Sequence, residues 1–275
     1  MRSVPPRSIM PWSLVLSVLV VVSSLAGLLD PRVYDQETEN WTTQAWGQDL
    51  GNLLAVAVLL AAALRYRGGS HRAGLVWLGT LMYLIYAFIV YAMAVHLNYL
   101  FLVYVAVLGL SAWAVIFHVS DLRARTTAYP HGRPRTVAAG VLVATGVLFA
   151  ALWLSELVPA LLTDSVPASL TEAGLRVNPI HVIDLSVVLP GFIISGVAAL
   201  KDREHGLFWL APWLVFSVLM GTSIVAAMLL MMASGAADAL PPAVLVSILV
   251  LASLVALAGY LRAFGAGREP PAVRE

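Results

Sequence analysis

Eight long apolar stretches determine what this chain can fold into. They run over residues 10–29, 49–64, 73–96, 99–118, 136–157, 180–200, 206–232 and 242–262, separated by short segments rich in Arg, Asp, Pro or Gly. A helix needs about 20 apolar residues to cross ~30 Å of hydrocarbon, and it satisfies its own backbone hydrogen bonds there. The alternation of a transmembrane barrel is absent from runs such as 14–22. The sequence therefore predicts an all-α integral membrane protein with eight transmembrane helices.

Composition agrees with a single membrane domain and excludes several kinds of site. The chain is 60% hydrophobic and 11% charged, whereas soluble domains are about 25% charged. With no cysteine, it has no disulfides, thiolate metal sites or cysteine nucleophiles, so a metal would need His or carboxylate ligands. A net charge of +1 gives no reason to expect nucleic acid as a partner. Residues 263–275 form only a short tail.

The basic residues predict the orientation of the spans. Residues Arg32 and Arg176 fall on one side, and the other 14 of the 16 basic residues fall in the termini and alternate loops on the opposite side. That set is Arg2, Arg7, Arg65, Arg67, Arg72, Arg123, Arg125, Arg133, Arg135, Lys201, Arg203, Arg262, Arg268 and Arg274. Cytoplasmic loops carry such an excess of Lys and Arg. We therefore expect both termini in the cytoplasm and the protein in the plasma or inner membrane.

The sequence also contains an internal similarity. Aligning Asp49 with Asp184 brings AAALRYRGGSHRAGLVWLG (61–79) alongside VAALKDREHGLFWLA (197–211). Two halves of four spans each, 10–122 and 136–262, would then keep the same orientation and be related by an axis along the membrane normal. The alternative is that two membrane hairpins with basic inner loops resemble each other without a duplication.

Three carboxylates lie within the predicted spans, those of Asp49, Glu156 and Asp184. Counting about 1.5 Å per residue from the nearest inner basic residue places Asp49 and Asp184 roughly 24–26 Å above the cytoplasmic boundary. Glu156 and His96 lie higher, at roughly 31–36 Å, in the outer interface. A carboxylate inside hydrocarbon is expensive and normally faces a bundle interior or a wet cavity. We therefore expect a ligand or ion site near the outer side of the membrane. It would include these four residues together with Gln48, Asn52 and His181.

On the second span, Gln48, Asp49 and Asn52 form a polar patch on adjoining turns. They are candidate ligand residues. The alternative is helix capping, because an acid in a first turn complements the helix dipole.

The sixth span opens with NPIHVIDLSVVLPGF (178–192). Asn178 suits a helix cap and Pro179 the first helical position, which places His181 and Asp184 on one face. Pro190 followed by Gly191 predicts a distortion in mid-helix, useful for a cavity or gate but more often a packing feature.

The residues His96, Glu156, His181 and Asp184 have the donor types of a divalent metal site, which zinc, manganese or iron would accept. No HExxH or comparable motif accompanies them, so the signal is weak. Five tyrosines on spans three and four could line a pocket beside His96 or simply pack: Tyr83, Tyr86, Tyr91, Tyr99 and Tyr104. Two long outer loops, 30–47 and 158–177, could cover the polar layer as a lid.

Three functional interpretations stay open. The first is a protein that binds or translocates a small solute or ion, coupled to a proton or cation at Asp49 and Asp184. The second is a membrane-embedded hydrolase or transferase, with or without a metal, acting on a lipid or amphiphile. The third is a non-catalytic scaffold or accessory subunit. The bilayer is a partner in all three.

Overall fold

The computed structural model describes residues 8–236 and 239–264, and within them it is helical with no strand. Eight helices of this part are long and apolar enough to cross a membrane, as the sequence predicts. They are α1 (Met10–Leu29), α2 (Glu39–Arg67), α3 (His71–Ala94), α4 (Phe101–Arg125), α5 (Arg133–Leu162), α7 (Pro179–Leu200), α8 (Glu204–Ala233) and α9 (Leu240–Ala263). A short helix, α6 (Ala168–Ala173), lies between α5 and α7.

Helix α2 begins ten residues before the predicted apolar stretch. Thr38 is its cap, and the Thr38 hydroxyl accepts a hydrogen bond from the backbone N–H of Trp41 at 3.2 Å. The prediction missed this start because the first turns, ENWTTQAWGQ, are polar while still helical. Asp49 therefore lies well inside the helix, and the interpretation of its patch as a first-turn cap is wrong.

Helix α7 begins as predicted but is not a regular α-helix throughout. The Asn178 side chain accepts from the N–H of Ile180 at 2.9 Å, and Pro179 takes the first helical position. Residues Asp184–Val188 then form one π-helical turn, closed by the N–H of Leu189 on the carbonyl of Asp184. Pro190 follows directly. In a regular α-helix a proline ring clashes with the carbonyl group four residues earlier. The wider π-helical turn before Pro190 relieves that clash.

The spanning helices pack in two sets of four with one pattern. In α1–α4 and in α5, α7, α8 and α9, the first helix contacts the second and the fourth, the second contacts the third, and the third contacts the fourth. The two sets meet where α8 packs along both α2 and α3. In the predicted repeat, α7 is equivalent to α2 and α3 is equivalent to α8. The contact of α3 with α7 is nevertheless concentrated at the first turn of α7. Below this first turn a space separates α7 from α3.

Glycines on α2 allow its close approach to α8. A Cβ at Gly47 would overlap the backbone of Ala227, and one at Gly51 would overlap the side chain of Ser223. The pair has the spacing Gly-x-x-x-Gly, with Asp49 between, and such small residues let membrane helices approach closely. The packing of α2 on α8 therefore depends on the absence of side chains at these two positions.

The two ends of the bundle differ in charge. We call the end that carries Arg65, Arg123, Arg135 and Lys201 the basic end, and the opposite end, with Asp30 and its neighbours, the acidic end. Four residues used to predict the orientation, Arg2, Arg7, Arg268 and Arg274, lie outside the described residues, as does most of the tail. At the basic end, Arg135 and His131 lower the pKa of the Asp202 carboxyl, with Arg135 the larger cause.

Loops at the acidic end are fixed by side-chain contacts. The Arg32 guanidinium and the Tyr99 hydroxyl both bind the Asp30 carboxylate, at 2.7 Å each, and they hold the pKa of Asp30 well below its usual range. The Thr38 hydroxyl donates to the carbonyl of Glu172 at 2.8 Å, which connects the start of α2 to α6. The two long loops predicted to cover the polar layer are thus joined to each other.

Candidate functional site

A cavity of about 400 Å³ lies in the space beside α7. Helices α2, α3, α5, α7, α8 and α9 all contribute to its walls. The lining residues of α2 are confined to 41–48 and those of α8 to 216–231, so the cavity occupies the half of the bundle toward the acidic end. Nearer the basic end, α3 and α8 are in contact, since a Cβ at Gly79 would overlap Pro212 and Val215. The volume is within the ~300–1,000 Å³ range of small-molecule sites.

Asp184 is the one formally charged residue among those that line the cavity in the described chain. It is only 9% exposed, and the indole N–H of Trp153 donates to its Oδ2 at 2.8 Å. The carboxylate lies at the start of the π-helical turn of α7. The Tyr86 hydroxyl is a second hydrogen-bonding neighbour of this carboxylate. A carboxylate offers about four acceptor positions, so with two donors Asp184 retains the capacity to accept further hydrogen bonds from a bound molecule.

The rest of the wall is largely aromatic and aliphatic. Its rings are those of Trp41, Tyr86, Tyr91, Phe149, Trp153, Phe192 and Phe216. Polar atoms come mainly from Gln44, Gln48, Thr145, Ser217 and Ser223. Two of the five tyrosines considered as pocket residues, Tyr86 and Tyr91, therefore do line a cavity. Aromatic faces attract cations, so this wall favours a positively charged group beside the carboxylate.

Asp49 has a different environment, although it lies at the predicted equivalent position on α2. It is 1% exposed and does not line the cavity. The Tyr34 hydroxyl donates to its Oδ2 and the Tyr91 hydroxyl to its Oδ1, both at 2.8 Å. Burial and the Asp49 carboxylate raise the pKa of Tyr34 well above its usual value, so Tyr34 remains a neutral donor. Both oxygens of Asp49 are thus satisfied within the protein.

The other two residues of the predicted α2 patch connect Asp49 to the cavity wall. Gln48 lines the cavity, and its amide donates to the Tyr83 hydroxyl at 2.5 Å and to Asn52 at 3.3 Å. Asn52 is fully buried and donates to the Ser24 hydroxyl at 3.3 Å. The patch is one hydrogen-bonded network, with only Gln48 at the cavity surface.

His181 and Glu156 lie together next to the cavity, behind Trp153. The His181 ring centroid is 4.7 Å from that of Trp153, and its Nε2 is 3.9 Å from Glu156 Oε2. Glu156 also accepts a hydrogen bond from the Ser169 hydroxyl of α6. Three of the predicted site residues, Asp184, His181 and Glu156, are therefore grouped around one tryptophan.

His96 is separate from that group and binds the loop before α2. Its ring Nδ1 is 3.0 Å from Glu37 Oε1, and its backbone N–H donates to the same oxygen at 2.7 Å. In the described part of the chain, no three His, Cys, Asp or Glu side chains lie close enough together to hold a metal ion. The predicted ligand set of His96, His181, Asp184 and Glu156 is therefore not assembled, because His96 has a different partner.

Sequence reasoning did not pair the two aspartates with their aromatic partners. Trp153 binds Asp184 and Tyr91 binds Asp49 from other helices, and no spacing rule relates α5 to α7 or α3 to α2. The pair Gly47 and Gly51 did carry a readable signal, since the Gly-x-x-x-Gly spacing is a known helix-packing pattern. Recognising it would have indicated that the face of α2 bearing these glycines is packed against another helix.

In comparisons with known proteins, no family model, curated protein or solved structure matches this chain. The site itself therefore carries the functional argument.

Proposed function

We propose that this protein binds a small amphiphilic cation in the cavity beside α7 and exchanges it against protons at Asp184. The observation that carries the proposal is that Asp184 is, among the described residues, the sole formally charged group on the wall of a largely apolar and aromatic cavity. A carboxylate at this depth in a membrane is expensive unless water or a ligand contacts it. The sequence predicts only a small solute or ion as the ligand. The proposal specifies that this ligand has an apolar body and one positive charge.

Charge and shape both favour such a ligand. A cationic head group would lie at the Asp184 carboxylate between the rings of Trp153 and Tyr86, where it gains both ion pairing and cation–π attraction. The apolar body would contact the methionine and leucine side chains of α8 and α9, including Met220, Met228 and Leu249. Methionine adapts its shape to varied ligands, which suits a site for a class of amphiphiles.

The arrangement of the helices supports transport in particular. The common packing pattern of the two sets of four helices supports the proposed 4+4 parallel repeat, an organisation found in several transporter folds. Under the orientation predicted from the basic residues, the cavity lies in the extracytoplasmic half of the plasma or inner membrane, with both termini in the cytoplasm. Exchange would then begin from outside.

For Asp49 we propose a structural role in place of the predicted second ion site. Two tyrosine hydroxyls occupy its oxygens, a Cβ at Gly27 would overlap it, and it is only 1% exposed, so the described residues pack closely around it. His181 and Glu156 are proposed to act near Asp184, and His96 to hold the loop that precedes α2.

The enzyme interpretation has less support. Ser155 and Ser186, the serines nearest the predicted site, donate to backbone carbonyls of Leu152 and Val182. Neither bonds a general base among the described residues. We retain the scaffold interpretation as the outcome expected if no ligand binds.

The test is binding of tetraphenylphosphonium to the purified protein in lipid nanodiscs, with tetraphenylborate as the anion of matching shape. We expect saturable binding of the cation above that of empty nanodiscs, and weaker binding of the anion. Loss of an ion pair of about 1.5–3 kcal/mol predicts that Asp184→Asn raises the Kd by roughly tenfold or more. Asp184→Glu, which keeps the charge, should retain part of the affinity.

Proteoliposomes separate a binding protein from a transporter. An imposed proton gradient should drive uptake of the cation into vesicles with the wild-type protein but not with Asp184→Asn. Equal affinity for cation and anion, or unchanged affinity in Asp184→Asn, would refute the proposed site. Binding without uptake would refute translocation alone.

A further inference from the structure

A second recess of about 610 Å³ lies on the flank of the bundle near the acidic end. The end of α5, the loop with α6, and the first turns of α7 form its walls. It is lined by Leu157, Ala160, Leu161, Ser165, Val166, Pro167, Leu170, Arg176, Val177, Asn178, His181, Val182, Leu185 and Ser186. None of these lines the first cavity. The recess is therefore a separate candidate site.

The recess extends from the membrane interface into the hydrocarbon. Arg176 lies two residues before the cap of α7, at the level where the spanning segment starts. From there the lining passes along Leu161 and Val182 to Leu157 and Leu185, deeper on α5 and α7. Leu161 is 80% exposed to the surroundings, so the apolar wall faces the bilayer and not the protein core.

Arg176 is an unpaired cation at the mouth of this recess. The other arginine of the described acidic end, Arg32, is bound to Asp30 at 2.7 Å. Arg176 makes no ion pair or side-chain hydrogen bond with any described residue. An arginine guanidinium binds phosphate oxygens by paired, charge-assisted hydrogen bonds. Its position and free charge are those of a receptor for a lipid phosphate.

His181 lies on the same wall, but its ring nitrogen is not open to the recess. Its side chain is 7% exposed, and its Nε2 is enclosed by protein atoms and faces Glu156 Oε2 at 3.9 Å. Arg176 is therefore the group that recognises the phosphate.

From these observations we infer that the recess between α5 and α7 is a specific binding site for one membrane phospholipid. Its phosphate binds Arg176 at the interface, and one acyl chain lies along Leu161 and Val182 toward Leu185. The ligand is a phospholipid and not a neutral glyceride, because the phosphate is what the unpaired guanidinium recognises. Bulk lipid would contact the apolar wall without this selectivity.

The experiment is native mass spectrometry of the full chain, delipidated in detergent and then titrated with defined lipids. The lipids are phosphatidylglycerol and phosphatidylethanolamine, with diacylglycerol of the same acyl chains as the phosphate-free reference. We expect one tightly bound phospholipid per chain and weaker retention of diacylglycerol. Arg176→Gln should reduce phospholipid retention by about tenfold, the loss expected for a charge-assisted hydrogen bond, whereas Arg32→Gln should leave it unchanged.

Filling the recess tests the acyl-chain half of the inference. Val182 lines it and is 55% exposed, whereas Val187 on the same helix is 57% exposed and lines neither site. Val182→Trp should displace the lipid, and Val187→Trp should not. Equal retention of phospholipid and diacylglycerol, or unchanged retention in both Arg176→Gln and Val182→Trp, would overturn the inference. Cation binding at Asp184 is measured separately, so either proposal can fail alone.

Discussion

Asp49 on α2 and Asp184 on α7 are predicted to be equivalent positions of the two halves, and each is bound by aromatic side chains from other segments of the chain. Asp49 receives two tyrosine hydroxyls and is closed off from the cavity, whereas Asp184, beside the Trp153 indole N–H and the Tyr86 hydroxyl, lines the cavity. The same residue type at the two predicted equivalent positions is thus enclosed by protein in one half and open to a cavity in the other. Depth alone does not distinguish a structural carboxylate from a binding one.

The difference arises from helix packing. Helix α8 covers α2 closely at Gly47 and Gly51. At the positions aligned with these glycines in the proposed repeat, α7 carries Val182 and Ser186, and it contacts α3 mainly by its first turn. If the repeat is genuine, the cavity exists where the two halves depart from symmetry.

The largest expected difference is in chemical access. A hydrophobic carbodiimide should modify Asp184 at least about tenfold faster than Asp49, because reaching Asp49 requires a local opening that we expect to exceed 1.4 kcal/mol. Peptide mass spectrometry after a timed reaction measures both rates, and tetraphenylphosphonium should protect Asp184. Equal rates at the two residues would break the comparison.

The next largest effect is expected on the packing of α2 against α8, which encloses the region around Asp49. Gly47→Ala places a methyl group against the backbone of Ala227, which cannot rotate away, and should lower the free energy of unfolding by about 1–3 kcal/mol. Gly109→Ala on α4 is the matched control, since nothing lies within 4 Å of its added Cβ. The readout is thermal unfolding in detergent. A loss of equal size in both variants would show that α2 tolerates a side chain here.

Neutralising each aspartate should separate stability from binding. Asp49→Asn replaces an acceptor oxygen with a donor facing Tyr34 or Tyr91, and we expect it to cost about 1–3 kcal/mol of stability while leaving the cavity in place. Asp184→Asn should reduce cation binding with a smaller loss of stability. Thermal unfolding and tetraphenylphosphonium binding are measured on both. Loss of binding in Asp49→Asn at full stability would assign Asp49 to the site.

The smallest expected change comes from removing one hydroxyl. Tyr34→Phe leaves one Asp49 oxygen without its donor and should lower the free energy of unfolding by about 1 kcal/mol or slightly more. The double variant of Tyr34→Phe with Asp49→Asn should be less destabilised than the sum, because both changes remove the same contact. Strict additivity would mean that the hydrogen bond contributes nothing.

Helices were predictable from the sequence, whereas the separate roles of the two aspartates were not. Twenty-residue apolar runs between basic loops specify spans almost by themselves, since lipid admits few alternatives. The start of α2 was not predicted, because a helix can extend beyond the hydrocarbon with polar turns such as residues 39–48. His96 was grouped with Asp184 because both are potential metal donors near the predicted outer side, but the lateral position of each helix comes from packing that no single span encodes.

The π-helical turn at Asp184–Val188 has a consequence for the family of sequences that could share this site. A turn closed over five residues in place of four holds one residue more than a regular α-helix needs, and the wider turn absorbs that residue with little rotation of the flanking segments. Deleting a single residue between Asp184 and Pro190 would therefore allow regular winding while the carboxylate keeps nearly its present direction relative to the rest of α7. A second deletion would have no wide turn to absorb it and would rotate the carboxylate by about 100°. In this helix the length of the segment, as well as its composition, determines where the charge points.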